Sequence, residues 1–294
     1  MKQTTVVQKD EAAAPPRRLR KKSHKNTFQK IAAVPHSVWT VMFIVAPMLF
    51  VLYFAFTDNE GHFALSNITA LSQYTNVFIL SIAFALIATA VCLIVGYPLA
   101  YFMSRQSPRA QKILMVLIML PMWCNLLIRT YALMALLDNG GLLNSLLEKI
   151  GLGRVSIVGS HFGVILGMVY DFLPYMVLPI FTAMTKLDRR YIEASHDLGC
   201  NGWQTMTKVI MPLTLSGVVS GVTMVFVPSI STFYISQKLG AGKIDLVGDT
   251  IERLFQNTAT YGVGAAMSLV MMILIIVSVA IMNHFSDDEG GMVP

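Results

Sequence analysis

Six long apolar runs restrict the fold of this chain more than any other feature of its sequence. They cover residues 37–56, 77–103, 111–137, 158–184, 213–236 and 263–283. A helix of about 20 residues, rising 1.5 Å per residue, crosses the ~30 Å hydrocarbon core of a bilayer. The runs lack the alternating polar and apolar pattern of membrane β-strands. They therefore predict an all-α polytopic membrane protein with six transmembrane helices.

The composition agrees with this class. Only 13% of the residues are charged, against about 25% in soluble globular chains, and the mean hydropathy is +0.62. The net charge of +6 does not indicate nucleic-acid binding. The basic cluster 17–25 directly precedes the first apolar run and is typical of a topology signal. The three cysteines have no metal-binding spacing and predict no metal site.

Lysine and arginine positions predict the orientation. Successive loops lie on alternate sides of the membrane, and cytoplasmic loops carry the basic excess. Sixteen basic residues lie on the side of the N-terminus and five on the other, with Arg129 inside the third run. Both termini are therefore expected in the cytoplasm. The chain then comprises a basic N-terminal tail (1–36), a transmembrane domain (37–285) and a C-terminal tail (286–294).

The loop 186–212 between the fourth and fifth runs is unusually polar for this chain. Asp188 suits a helix N-cap and Gly199 a left-handed helix stop. Asn201, with Gln204 three residues later, predicts the capping box of a second helix. The loop is thus predicted to be a helix, a glycine corner and another helix on the cytoplasmic side.

The first of these helices is amphipathic. Its apolar residues recur at helical spacing on one face, and they are Leu187, Tyr191, Ala194 and Leu198. A helix this short needs a partner surface. It could dock into a groove of a cytoplasmic protein or lie on the bilayer surface.

The same residues carry a family resemblance. Glu193, Ala194 and Ser195, then Gly199 after three residues and Pro212 at the end, resemble the motif E-A-A-x3-G-x9-I-x-L-P of ATP-binding-cassette importer permeases. The conservative departures are Ser195, Val209 and Met211. The segments 121–132, 167–181 and 226–251 further resemble the spermidine/putrescine permeases.

This resemblance implies a type I importer permease fold in a bacterial plasma membrane, with loop 186–212 coupling the permease to an ATPase. It also implies the partners: a second permease subunit, an ATPase homodimer and an extracytoplasmic solute-binding protein. The chain itself would bind no cofactor, because ATP and Mg²⁺ would bind the ATPase. Residues 240–243 read GAGK, yet Gln237 and Ile244 stand where a phosphate-binding loop requires Gly and Ser or Thr. No catalytic residues are expected.

Two ionisable residues lie inside predicted spans, Arg129 and Asp171. Such charges are costly in lipid and are expected to face a partner or an aqueous pathway. The two could pair with each other. Alternatively, Asp171 could line a substrate pathway together with Tyr175, and with Phe233 and Tyr234 of the fifth run, because a carboxylate among aromatic rings suits an ammonium group.

The sequence leaves three other functions to be weighed against that of an importer permease for polyamines. A related importer could carry another small solute, such as a phosphonate, another anion or a metal. A stand-alone secondary transporter or channel would be expected to show internal repeats or more buried acids, and it leaves loop 186–212 unexplained. An intramembrane enzyme is disfavoured because the spans contain no catalytic motif.

Overall fold

The computed structural model describes residues 27–58 and 60–290, and the regular structure in those ranges is helical apart from one isolated pairing of Thr57 with Phe63. The predicted all-α class is confirmed, while the basic cluster 17–25 lies outside the described residues. The α-helices are α1 (Thr27–Thr40), α2 (Ala46–Ala55), α3 (Ser66–Thr69), α4 (Thr75–Ser104), α5 (Pro108–Trp123), α6 (Leu126–Leu137), α7 (Leu142–Lys149), α8 (His161–Lys186), α9 (Arg189–Asp197), α10 (Gly202–Thr205), α11 (Met211–Leu213), α12 (Leu215–Ser231), α13 (Tyr234–Leu239), α14 (Val247–Phe255) and α15 (Tyr261–Gly290). π-Helical turns at Val41–Val45 and Met206–Ile210 follow α1 and α10, and 3₁₀ turns at Ala70–Tyr74 and Thr258–Thr260 precede α4 and α15.

The chain divides into two compact units, Met1–Leu49 and Phe50–Pro294. In its described part, the first unit contains α1, the π turn and the start of α2, with exposed apolar side chains such as Trp39 and Phe43. The second unit contains the remaining helices. Helix extends into both predicted tails, because α1 begins at residue 27 and α15 ends at residue 290.

Five helical stretches in the described residues are long and apolar enough to cross a membrane, namely Val34–Ala55, Ser66–Ser104, Leu126–Lys149, His161–Lys186 and Thr258–Met282. A sixth results if Gly202–Leu213 and Leu215–Ser231, bent by 69°, count as one span. The predicted spans 37–56, 77–103, 158–184 and 263–283 each correspond to one of these stretches. The other two predicted spans need correction.

The predicted continuous helix over 111–137 is wrong. Helix α5 ends at Trp123 and Cys124 is extended. The Asn125 side chain then accepts a hydrogen bond from the Leu127 backbone N–H at 2.8 Å and caps α6. A side chain that satisfies a helix-start amide locally allows the chain to begin a new helix there, so this apolar run is two helices.

The predicted helix over 213–236 is wrong at both ends. Near its start, the chain bends at Thr214, whose hydroxyl donates to the Ile210 carbonyl at 2.8 Å and lies 3.1 Å from the Tyr97 hydroxyl of α4. At its other end, α12 stops at Ser231 and Thr232 is extended. Phe233 therefore lies at a break in the chain, and Tyr234 begins α13.

Helices α4, α8 and α12 form the centre of the second unit. Gly217 and Gly221 are one turn apart on α12, and a Cβ at these positions would lie 2.9 Å from the Pro179 carbonyl oxygen and 2.9 Å from the Met176 sulfur, respectively. Small residues at this spacing let two membrane helices approach closely. The G-x-x-x-G spacing at 217–221 is visible in the sequence and predicts close helix packing on this face of α12, while the structure identifies α8 as the partner.

Candidate functional site

The first helix of loop 186–212 begins and ends as the sequence predicts. The Asp188 carboxylate accepts from the Arg190 backbone N–H at 3.0 Å and caps α9. At the other end, Gly199 has a left-handed φ of +79°. The N–H of Cys200 donates to the Ser195 carbonyl at 3.0 Å, and that of Gly199 to the His196 carbonyl at 2.9 Å. These two bonds form a Schellman motif, so the backbone conformation at this position favours glycine.

The second helix begins with the predicted capping box. The Asn201 side chain accepts from the Gln204 N–H at 2.8 Å, and the Gln204 side chain accepts from the Asn201 N–H at 3.0 Å. Helix α10 then passes through a π turn into α11, which contains Pro212. The helix–corner–helix prediction for this loop is confirmed.

Two buried hydroxyl groups join the helices of the loop. Ser195 donates to the Ile192 carbonyl at 2.7 Å, and its oxygen lies 3.0 Å from the Thr205 hydroxyl. Because the single Ser195 proton is already donated, Thr205 is the donor of the second bond. Alanine, the usual residue of the family motif at this position, could make neither bond. Ser195 therefore links α9 to α10 through a hydrogen bond.

The loop also exposes four apolar side chains, which we call the loop patch: Tyr191, Ala194, Leu198 and Trp203. Leu198 is 85% exposed and Trp203 76% exposed, and Glu193 lies beside them in solvent. Apolar side chains gathered at such exposure are typical of a docking surface. Sequence analysis placed Tyr191, Ala194 and Leu198 on this face correctly but missed Trp203. Leu187, which it also placed there, is instead half-buried against the core.

The two intramembrane charges lie together. Arg129 Nε is 2.5 Å from Asp171 Oδ1, and the Asp171 side chain is fully buried. The Thr130 hydroxyl lies 3.3 Å from Asp171 Oδ2. This is the geometry of the pairing alternative. A pathway role for Asp171 stays a prediction and would require Arg129 to release the carboxylate.

Arg129 also fastens the break between α5 and α6 to α8. Its Nη1 donates to the Pro121 carbonyl at 3.2 Å, at the end of α5, and its guanidinium lies 5.9 Å from the Tyr170 ring centre. The same carbonyl also accepts from the Cys124 backbone N–H at 3.1 Å, so the arginine adds a second hydrogen bond at this helix end. The pair with Asp171 then links this end of α5 to α8. Sequence analysis identified both charges but missed the Pro121 carbonyl.

The predicted pathway aromatics are at the surface of this subunit. Tyr175 and Phe233 are both partly exposed, and the Tyr175 ring contacts Phe172 at 6.4 Å. Tyr234 packs edge-on against Tyr131 of α6, with ring centres 5.9 Å apart. The polar partners of the Asp171 carboxylate are Arg129 and Thr130 rather than these aromatics. Within residues 27–58 and 60–290, no three His, Cys, Asp or Glu side chains are placed to hold a metal.

The fold and the loop define a class of protein, and a family model agrees. Residues 93–288 match the binding-protein-dependent transport system inner membrane component, and the chain belongs to this family. It is a multi-pass inner-membrane permease subunit of an importer that works with a binding protein and an ATPase. Like other members of the family, it is not the ATP-hydrolysing subunit.

The chain is also similar to individual curated proteins. The chain is 36% identical to the spermidine/putrescine transport system permease protein PotB of Haemophilus influenzae, over 85% of this chain and 91% of the relative. It is 35% identical to the Escherichia coli protein of the same name, over 80% and 90%. The E. coli inner membrane ABC transporter permease protein YdcU is 27% identical, over 75% of each chain.

A solved structure supports the fold. A chain of a bacterial ABC transporter involved in the import of the acidic polysaccharide alginate superposes with a TM-score of 0.73, covering 89% of this chain and 95% of that one. The sequence identity is 19%, so this likeness concerns the architecture alone. The predicted importer permease fold is confirmed.

Proposed function

We propose that this permease carries polyamines. The observation behind the proposal is the 35–36% identity to spermidine/putrescine permeases over at least 80% of this chain. A second, different permease chain is proposed to complete the pathway.

The proposed orientation places both termini and loop 186–212 in the cytoplasm, on the basis of the sixteen basic residues on that side. The loop patch then faces the ATPase homodimer, and Glu193 and Gly199 belong to the docking element. ATP-driven movement of the ATPase would reach α12 through α10, α11 and the bend at Thr214. The hydrogen bond between Thr214 and Tyr97 carries the same movement to α4.

We propose that the ion pair of Arg129 with Asp171 holds α6 and α8 in the positions that shape the substrate pathway. Both side chains are buried, so breaking the pair would leave an uncompensated charge at a cost of about 3–5 kcal/mol. We expect Asp171→Asn to lower both the melting temperature of the purified complex and its uptake. The double variant Arg129→Met with Asp171→Leu should recover most of the stability. If Asp171→Asn reduced uptake while stability stayed unchanged, the carboxylate would belong to the pathway instead.

Uptake by the complete importer tests the function. The chain would be co-expressed with a second permease, an ATPase and a binding protein encoded beside it, and reconstituted in liposomes with ATP inside. Labelled putrescine and spermidine should accumulate, whereas phosphonate, phosphate and divalent metal ions should not. Accumulation of one of those other solutes and not of polyamines would refute the proposal. The chain reconstituted alone should accumulate none of them.

A further inference from the structure

The ammonium group of Lys238 lies in a corner formed by two tyrosine rings. Its nitrogen is 5.1 Å from the ring centre of Tyr131 on α6 and 5.5 Å from that of Tyr234 on α13. The two rings meet at 78°, so they present two walls to the same cation. We call this arrangement the tyrosine corner.

No carboxylate neutralises this lysine in the described part of the chain. The ion pairs there join His62 with Glu60, Arg129 with Asp171, Arg154 with Glu148, Arg190 with Asp188, and Arg253 with Asp245. The negative faces of aromatic rings attract cations, so the Lys238 ammonium interacts with the rings of Tyr131 and Tyr234.

The tyrosine corner lies at the surface of the chain rather than in its core. Tyr131 is 45% exposed, and Tyr234 and Lys238 are half-buried. It is built where two broken helices meet, because α6 starts after the break at Asn125 and α13 after the break at Thr232. Non-helical backbone inside a membrane protein is either buried in protein or lines an aqueous cavity, and discontinuous helices form the solute sites of many transporters.

We infer that the tyrosine corner is a binding station for the alkylammonium end of the transported solute, and that Lys238 occupies it when solute is absent. This inference rests on the proposed polyamine function. A lysine side chain is a four-carbon chain ending in an ammonium group, and one end of putrescine has the same chemistry. The corner therefore already binds, within the chain itself, the group that the solute would present.

Two ammonium groups repel each other in one small site, so solute and Lys238 exclude one another. Solute arriving at the corner displaces the lysine into solvent, and the lysine returns when the solute moves on. The charge in the corner stays the same throughout. Lys238 thus competes with the solute for the tyrosine corner and weakens the binding of solute.

This competition predicts the direction in which each substitution changes the KM for uptake, and that direction is the test. In the complete importer, Lys238→Met keeps an unbranched apolar side chain and removes the charge, so the KM for putrescine uptake should fall about fivefold. Tyr131→Leu and Tyr234→Leu should raise that KM about tenfold, and Tyr131→Phe should restore most of the affinity that Tyr131→Leu loses. Lys149→Met, which removes a lysine that is exposed on α7, is the matched control and should leave KM unchanged.

A merely structural Lys238 gives a different result. In that case Lys238→Met would raise KM or lower the melting temperature and yield of the complex, and the inference would be overturned. Unchanged KM values in both leucine variants would overturn it as well. Failure of the wild-type importer to take up any polyamine would instead refute the proposed function, which separates the two failures.

Discussion

Two glycines, one in loop 186–212 and one in α14, are needed for opposite reasons. Gly199 has a φ of +79° and open space where a side chain would go. Gly248 has an ordinary backbone conformation, but a Cβ there would lie 2.7 Å from the Thr232 carbonyl oxygen and 2.8 Å from that of Ser231. The first glycine is required by the local conformation of the chain and the second by contact with a distant helix end.

The regions around these glycines differ in the same way. In loop 186–212 the caps and the corner are made by residues within five positions of one another. In the segment that holds α14, the Val247 N–H donates to the Ser81 hydroxyl of α4 at 2.8 Å, a contact between residues 166 positions apart. Exposed structure between spans is therefore locally encoded here, while buried structure between spans depends on the rest of the fold.

Among the substitutions that test this comparison, Gly248→Val should give the largest effect. Gly248→Val places a branched side chain against two backbone carbonyls that cannot move independently, and overpacking of this kind costs about 3 kcal/mol. The melting temperature and yield of the purified complex should fall strongly. Gly202→Val, at a helical glycine with open space and no positive φ, is the matched control and should change little. Equal losses in both variants would contradict the packing explanation.

Substituting Gly199 should give a smaller cost in stability and a specific functional loss. Valine in the left-handed region costs about 1–2 kcal/mol, and the second helix of the loop would be redirected. Co-purification of the ATPase and solute-stimulated ATP hydrolysis should fall while membrane insertion persists. Gly199→Asn, which tolerates this backbone region, should retain both. Normal coupling in Gly199→Val would separate this loop from the ATPase interface.

Asp249 should make stability depend on pH through its buried setting. Burial raises the pKa of Asp249 from 3.8 to about 6, and the nearby carboxylates of Asp245 and Glu252 add to this effect, while the hydrogen bond from the Leu246 N–H opposes it. Its Oδ1 has no hydrogen-bond partner, because the Ser236 hydroxyl donates to the Phe233 carbonyl at 2.9 Å. The folded state thus binds the proton more tightly than the unfolded state, so stability is lost as pH rises through about 6.

Asp249→Asn cannot ionise and keeps an oxygen for the Leu246 N–H, so it should escape this loss. Its melting temperature should exceed that of the wild type by about 2–4 °C at pH 8 and differ little at pH 4. Glu148→Gln, at an exposed acid paired with Arg154, should show no such pH-dependent gain. A gain that was equal at both pH values would argue against ionisation of Asp249 as the cause.

Removing the capping box should give the smallest effect. Asn201→Ala loses the bond to the Gln204 N–H and costs about 1 kcal/mol. Faster amide hydrogen exchange should be confined to α10 and the π turn, with a modest decline in coupling. Asn201→Ser preserves the cap and should exchange like the wild type. Faster exchange that spread to α14 in Asn201→Ala would break the contrast between local and distant control.

Several features could be predicted from the sequence because they depend on neighbouring residues or on average polarity. Apolar runs predicted α4, α8 and α15, since transfer into lipid depends on the composition of about twenty residues together. Asp188, Gly199 and Asn201 predicted the loop because each side chain, or its absence, acts on backbone within a few positions. The pairing of Arg129 with Asp171 was one of two alternatives, since cost in lipid predicts a partner without naming it.

Only the tertiary structure decided where helices break inside apolar runs. Hydropathy at 111–137 and 213–236 is the same for a straight helix and a broken one, so it predicted the wrong continuity. Local capping by Asn125 permits the first break, while distant groups hold both breaks in place: Asp171 of α8 pairs with Arg129 at the first, and Gly248 packs closely against the end of α12 at the second. Sequence determined which residues enter the membrane, and long-range hydrogen bonding and packing determined the shape they take there.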